Sequence, residues 1–222
     1  MQEVIRDVPK PMASVAGKPF LEYLLLHLVR WGFREIVLCV GYKGEVIKTH
    51  FGTGERWGVK IEYSEEDEPL GTGGALREAF ELIDDDRFLV MNGDSFFEVN
   101  PAEIAAYHKD KKATATIGLA HVDDVRRYGK VDVNLEGEIV GFSEKTSGGS
   151  GVINGGVYIF SDKIINKIPP GNVSLERQVF PVLIKNGLYG MGAEGVFIDI
   201  GVPEDYLDLC KNPQMLLNAM GP

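Results

Sequence analysis

Two aspartates sit in matching surroundings. In "VMNGDSFF" an apolar run ends in Asn92-Gly93-Asp94, and in "FIDIGVPEDY" another ends at Asp199, with Gly201 and a helix start just beyond. An acid at the end of a strand in an α/β sheet stands where such sheets place their ligands, and Gly93 lets a ligand come close. Converging from two strand ends, Asp94 and Asp199 could hold one Mg²⁺, which takes carboxylates together with phosphate oxygens. Either acid alone serves as readily as a turn residue or helix cap.

A second stretch, "EPLGTGGALREAF" over residues 68–80, holds Gly71, Gly73 and Gly74 around Thr72. Position 76 is Leu and no Gly-Lys-Ser/Thr follows, so it is neither a dinucleotide fingerprint nor a Walker loop. Between a strand and a helix, free backbone N–H groups and the helix dipole can hold polar or anionic groups. A tight turn packed under another element explains the glycines equally well. Of the cations, Lys10 in "VPKPM" lies between two prolines that limit its backbone, which makes it a phosphate candidate. Lys145 in "FSEKT" follows a strand, and for a lysine there solvated surface is the simple alternative. The adjoining "TSGGSG" reads as a solvated loop, and less readily as a flap over a site. His27, His50, His108 and His121 read as helix or surface residues.

The elements that must position these residues follow from periodicity. "KPFLEYLLLHLVRWGF" carries apolar residues at helical spacing and stops at Gly32. "EIVLCVGY" reads as a buried strand, "KGEVIKTHFG" as a helix, "VKIEYSEE" as a strand, the stretch from Gly74 to about Ile83 as a helix, and "RFLVMNGDSFF" as a buried strand. This alternation implies a parallel α/β sheet. After the helix "PAEIAAYHKDKK", the segments "ATATIGLAHV", "YGKVDVN", "EIVGFSEK" and "GVINGGVYIF" read as strands, "SLERQVFPVLIKNG" as a helix and "GVFIDIG" as a strand. The second half then forms the other wall of a cleft within one domain.

Composition narrows the partners. The 222 residues are 44% hydrophobic and 25% charged, with net charge −10. That acidity argues against a nucleic-acid polymer or an anionic membrane surface, and leaves room for a single nucleotide. No apolar run has the length of a membrane span, and the first residues lack a signal-peptide layout. Cys39 and Cys210, read as half-buried thiols, fit a reducing cytoplasm.

Taken in order, "DVPKPM", "GKPFLEYLL", "EPLGTGGAL", "MNGDSFF", "RYGKV", "FSEK", "INGGVYIF", "SLE" and "FIDIGVPEDY" resemble the sugar-phosphate nucleotidyltransferase family from residue 7 to about 206. "SVAGKPFLEYLL", "YSEEDEPLGTGGA" and "GVFIDIGVPEDY" look most like its heptose 1-phosphate guanylyltransferases. The resemblance implies a Rossmann-like α/β fold, with a mixed, mostly parallel sheet flanked by helices. It also implies transfer from an NTP, GTP favoured, to a sugar 1-phosphate, heptose 1-phosphate favoured, with Mg²⁺ and release of pyrophosphate. Mannose or another hexose with a different NTP is the alternative, as is a non-catalytic relative that binds the sugar nucleotide.

By the same resemblance Asp94 and Asp199 hold the metal, Lys10 faces the triphosphate and Lys145 the sugar phosphate. Gly129, Glu144 and Asn154 line the sugar side, while Gly71, Thr72 and Gly73 face base and ribose. Asn92, Gly155 and Glu176 complete the substrate contacts. It implies, too, a first strand and glycine-rich phosphate loop ahead of Lys10 that the 222 residues do not contain. The expectation is one domain over 1–222 whose sheet exposes unpaired edges. Self-association into a homo-oligomer is left open.

Overall fold

A computed structural model describes residues 8–143 and 148–221. Its elements run β1 (Ser14–Val15), β2 (Lys18–Pro19), α1 (Phe20–Arg30), β3 (Glu35–Val40), α2 (Gly44–Phe51), β4 (Lys60–Glu65) and α3 (Gly71–Ala79). Then come β5 (Arg87–Met91), β6 (Ser95–Phe97), α4 (Pro101–Lys111), β7 (Ala115–Val122), β8 (Lys130–Val133) and β9 (Ile139–Ser143). The last are β10 (Gly151–Ser161), α5 (Phe180–Leu183), β11 (Leu188–Ala193), β12 (Phe197–Asp199), α6 (Pro203–Lys211) and α7 (Gln214–Ala219).

The largest sheet has the order β11-β7-β10-β5. Strand β10 is antiparallel to both neighbours and β11 is parallel to β7, so β5, β7 and β11 share one direction. A parallel pair β3-β4 and an antiparallel ribbon β6-β12 stand apart from it, and β8-β9 forms an arm. The fold is therefore α/β with a mixed sheet, as the resemblance implied; the parallel sheet read from the alternation fails because β10 enters antiparallel between β5 and β7. The central core joins Ile117, Leu119, Tyr158, Phe160, Val179 and Phe180 under β7 and β10. A second cluster joins α1 to the β6-β12 ribbon through Phe20, Tyr23, Leu24, Phe96, Ile198 and Ile200. A third packs Leu25 of α1 against Val40, Ile47, Phe51 and Ile61 of the β3-α2-β4 unit.

Four sequence readings change. The apolar run over 87–97 is two strands, because Asn92-Gly93-Asp94 carries the chain from the large sheet into the β6-β12 ribbon. The helix read from Gly74 starts at Gly71, so the glycines form its first turn. The helix read over residues 174–187 is a π-turn at Leu175–Val179 followed by the short α5. Strand β3, read as buried, has only Val40 buried, and both Cys39 and Cys210 are exposed. The reason for β3 is its free edge: among the described residues it pairs only with β4, and β5 pairs only with β10. Both strands line a groove of about 1060 Å³ between α1 and α3, with Leu24, Leu28, Ile36, Leu38, Leu89 and Met91 on its walls.

Two of the histidines, His27 of α1 and His108 of α4, are helix residues as read, and both are buried. His108 of α4 is 2% exposed and lies 3.0 Å from the hydroxyl of Thr116 on β7. Burial, aided by the charge of Arg87, depresses its pKa from 6.5 to about 4. Burial likewise lowers His27. Unfolding exposes an imidazole that binds a proton below pH 6.5 while the folded one does not. Stability contributed by His108 is therefore present at neutral pH and lost as pH falls from 6.5 to about 4, by roughly 3 kcal/mol at about 1.4 kcal/mol per pH unit. Melting curves across that range should show the slope, and His108→Gln should flatten it. An unchanged slope in the variant would remove His108 as its source.

Candidate active site

The β6-β12 ribbon brings the two aspartates together. Ser95 pairs with Asp199, which puts Asp94, one residue earlier, beside the end of β12. Ile200 N donates to the Asp94 carbonyl at 3.0 Å, and Gly201 N donates to Asp199 Oδ1 at 2.6 Å. A Cβ on Gly201 would meet Asp199 Oδ1 at 2.8 Å and Asp94 Oδ2 at 3.5 Å, so both carboxylates border the bare Cα of this glycine. Burial raises the pKa of Asp199; the bond from Gly201 N and the charge of Lys10 oppose this, while Asp94 and Asp205 add to it. Two neighbouring carboxylates, one of them buried, gain from a cation between them. The donor set fits Mg²⁺, which is bound through one or two carboxylates with substrate phosphates and water as the other ligands. Among the described residues no third His, Cys, Asp or Glu joins the pair.

Lys10 reaches this point on the short 3₁₀ turn Lys10–Met12, which starts after Pro9. Pro11 anchors the turn against Gly93, where a Cβ would lie 3.3 Å from Pro11 Cγ. Gly93 thus has a packing reason, and Lys10 is exposed beside Asp199.

Behind the aspartates, Asn92 and Asn154 converge on the hydroxyl of Tyr158. Asn154 Nδ2 donates to it at 3.0 Å, and the Asn92 side chain lies near enough to act on its charge. Tyr158 is fully buried, burial drives its pKa far up, and the charges of Glu176 and Asp94 reach it. It links the parts of the site and was missed as a site residue. The available signal was a tyrosine inside an apolar strand two residues after a glycine pair, since a buried phenol needs a partner.

The glycine turn serves packing first. A Cβ on Gly71 would lie 2.6 Å from the Val173 carbonyl oxygen, one on Gly73 3.0 Å from Val173 Cγ1, and one on Gly74 2.4 Å from the Gly171 carbonyl oxygen. The N–H groups expected to be free are partly used: Gly73 N and Gly74 N donate to Val173 O at 2.7 and 3.3 Å. The Thr72 hydroxyl accepts from Leu175 N at 2.8 Å and donates to Glu176 Oε2 at 2.9 Å, which also accepts from Ser174 Oγ at 2.8 Å. Helix α3 is thereby docked onto the 171–176 segment, and Thr72 and Glu176 meet directly.

Gly155 also has a packing reason, because a Cβ there would lie 2.6 Å from the Phe97 ring. Gly129, at φ +86°, follows Tyr128, whose hydroxyl bonds Asp205 at 3.2 Å and whose pKa burial pushes up to about 12. It therefore flanks the Asp199 side. Glu144 and Lys145, with Thr146 and Ser147 of the loop, lie outside the described residues.

The fold is α/β with two aspartates meeting at the β6-β12 ribbon, and residues 2–214 match the Nucleotidyl transferase family. The chain belongs to that family. It is 37% identical over 217 residues to the D-glycero-alpha-D-manno-heptose 1-phosphate guanylyltransferase of Campylobacter jejuni, covering 96% of this chain and 94% of that protein. It is also 37% identical to the mannose-1-phosphate guanylyltransferase of Mycobacterium tuberculosis, over 90% of this chain and 57% of that longer protein. HddC from Yersinia pseudotuberculosis, solved with GMP-PN, is 36% identical with a TM-score of 0.83, covering 92% of this chain and 90% of HddC.

Proposed function

We propose that this protein transfers a guanylyl group from GTP to heptose 1-phosphate, releasing pyrophosphate, with Mg²⁺ held by Asp94 and Asp199. The observation that carries this reading is the meeting of both carboxylates at Gly201, with the charge of Lys10 reaching Asp199. Support for the substrates comes from the heptose 1-phosphate guanylyltransferase relative and the GMP-PN complex of HddC. Two exposed thiols fit a reducing, cytoplasmic setting.

The sugar phosphate brings its own nucleophile. Its oxygen is ionised at neutral pH and attacks the α-phosphorus. A P–O bond forms there as the bond from that phosphorus to the bridging oxygen of pyrophosphate breaks, so no side chain need remove a proton. The barrier is repulsion between anions and alignment of the attacking and leaving oxygens. Lys10 offsets charge on the triphosphate, and the carboxamides of Asn92 and Asn154 orient the substrates. Thr72 and Glu176 fix the wall on which the nucleoside rests. A bound metal supplies charge neutralisation at the α-phosphate.

The test is pyrophosphate release with Mg²⁺, each of four NTPs, and a panel that includes heptose and mannose 1-phosphates. Release is expected with GTP and the heptose. A preference for mannose 1-phosphate would shift the assignment toward the mycobacterial relative's substrate, and no release with any pair would count against transfer.

A further inference from the structure

The pairing of β10 with β7 breaks at one place. Asn154 lies opposite Leu119 and Tyr158 opposite Ile117, so β10 spends two more residues than β7 on the same step. In a regular strand, residues four apart stand about 13 Å apart, at roughly 3.3 Å per residue. The bulge closes that separation until Asn154 Nδ2 lies 3.0 Å from Tyr158 Oη. Asn154 also clamps the other side of the bulge, since its Oδ1 accepts from Gly156 N at 2.9 Å. Gly156 stands at φ +71°, and a Cβ there would meet Asn92 Nδ2 at 3.0 Å. The Asn92 backbone is fixed as well, its N–H donating to Gly156 O at 2.9 Å. Bulges beside active sites re-aim side chains, and this one aims two carboxamides at a single buried hydroxyl.

We infer that Tyr158 is a positioning residue for the sugar-phosphate half of the reaction, acting through Asn154 and Asn92; this rests on the function proposed above. A carboxamide can turn over and exchange its donor for its acceptor. The Gly156 N–H, a donor only, holds Asn154 Oδ1 and sets which way the amide faces, while the Tyr158 hydroxyl takes one hydrogen of Nδ2 and leaves the second N–H for the substrate. Being fully buried, the phenol touches no ligand itself. Its ring is stacked on Phe160 at 5.5 Å, which holds the hydroxyl in place.

Tyr158→Phe keeps that stack and removes only the hydroxyl. The expected result is a rise of about tenfold in KM for the sugar 1-phosphate, with KM for the NTP within about twofold and a melting temperature within a few degrees of the parent. In an Asn154→Ala background the same change should add nothing further, because the relay is already cut. An unchanged KM, equal rises for both substrates, or fully additive effects would overturn the role. A readout independent of turnover separates this from the proposed reaction. In ¹H–¹⁵N spectra the Asn154 side-chain amide should be ordered in the parent and released in Tyr158→Phe. If the parent catalyses nothing yet the amide is released, the reaction fails and the positioning stands. An amide equally ordered in both proteins would sink the positioning.

Discussion

Asp199→Asn is expected to lower kcat by at least about a thousandfold while leaving the fold as stable as the parent, or more so, at pH 7. Loss of one of two metal-holding carboxylates removes several kcal/mol of charge stabilisation, which corresponds to three or more decades in rate. The stability effect has the opposite sign for a stated reason. The Asp199 pKa is raised in the folded protein by burial and by its neighbours Asp94 and Asp205, so its charged form is disfavoured there relative to the unfolded chain. The folded state then holds its proton to higher pH than the unfolded state, and stability falls as pH rises through that interval. A neutral amide escapes this penalty. Asp94→Asn should match it in turnover, since Asp94 Oδ2 faces the same glycine. Pyrophosphate release gives the rate, and melting with and without Mg²⁺ gives the rest: the metal should raise the parent's melting temperature and leave both variants unmoved. Equal turnover and equal Mg²⁺ dependence in both variants would remove the aspartates from the site.

Gly74→Ala is expected to destabilise the protein by about 2–4 kcal/mol, or roughly 5–15 °C in melting temperature for a chain of this size. The added methyl carbon would stand 2.4 Å from the Gly171 carbonyl oxygen and 2.8 Å from Leu70 Cβ, neither of which is a flexible side-chain end. Gly71→Ala should cost a similar amount for a mixed cause, a positive φ of 69° together with a Cβ 2.6 Å from the Val173 oxygen. These two changes distinguish packing from ligand contact at the glycine turn. Loss of stability with nucleotide affinity kept, measured below the melting range, supports packing. A parental melting temperature with nucleotide affinity lost would assign the glycines to the ligand.

Much of the site could be read from local pattern, because an acid at the end of an apolar run keeps its place once the run becomes a strand. Asp94 and Asp199 are instances, and Lys10 between prolines is another. What local pattern hides is the pairing of distant strands. Nothing near Asn154 announces the bulge, which exists only relative to β7. The packing reading of the glycines at 71–74 could not name its partner, because the 171–173 segment lies about a hundred residues away in sequence. Strand β11 escaped notice because "LYGMGA" carries two glycines. One of them, Gly190, is demanded by Leu119 of β7, whose Cδ1 would lie 2.5 Å from a Cβ there. The burial of β3 was misread for the same non-local reason: an apolar strand is covered only if a neighbour takes its edge.

That edge has a thermodynamic consequence. Among the described residues, β3 and β5 share no backbone ladder across the groove between them, so no strand pairing there ties the β3-α2-β4 unit to the large sheet. Within the unit, Val40, Ile47, Phe51 and Ile61 share one apolar cluster, which gives it a local reason to hold together. Opening should therefore occur in two tiers. Amide protons of β7 and β10, each paired on both sides, would exchange only on global unfolding, whereas those of β3 would report a cheaper, partial opening that detaches residues 35–65 first.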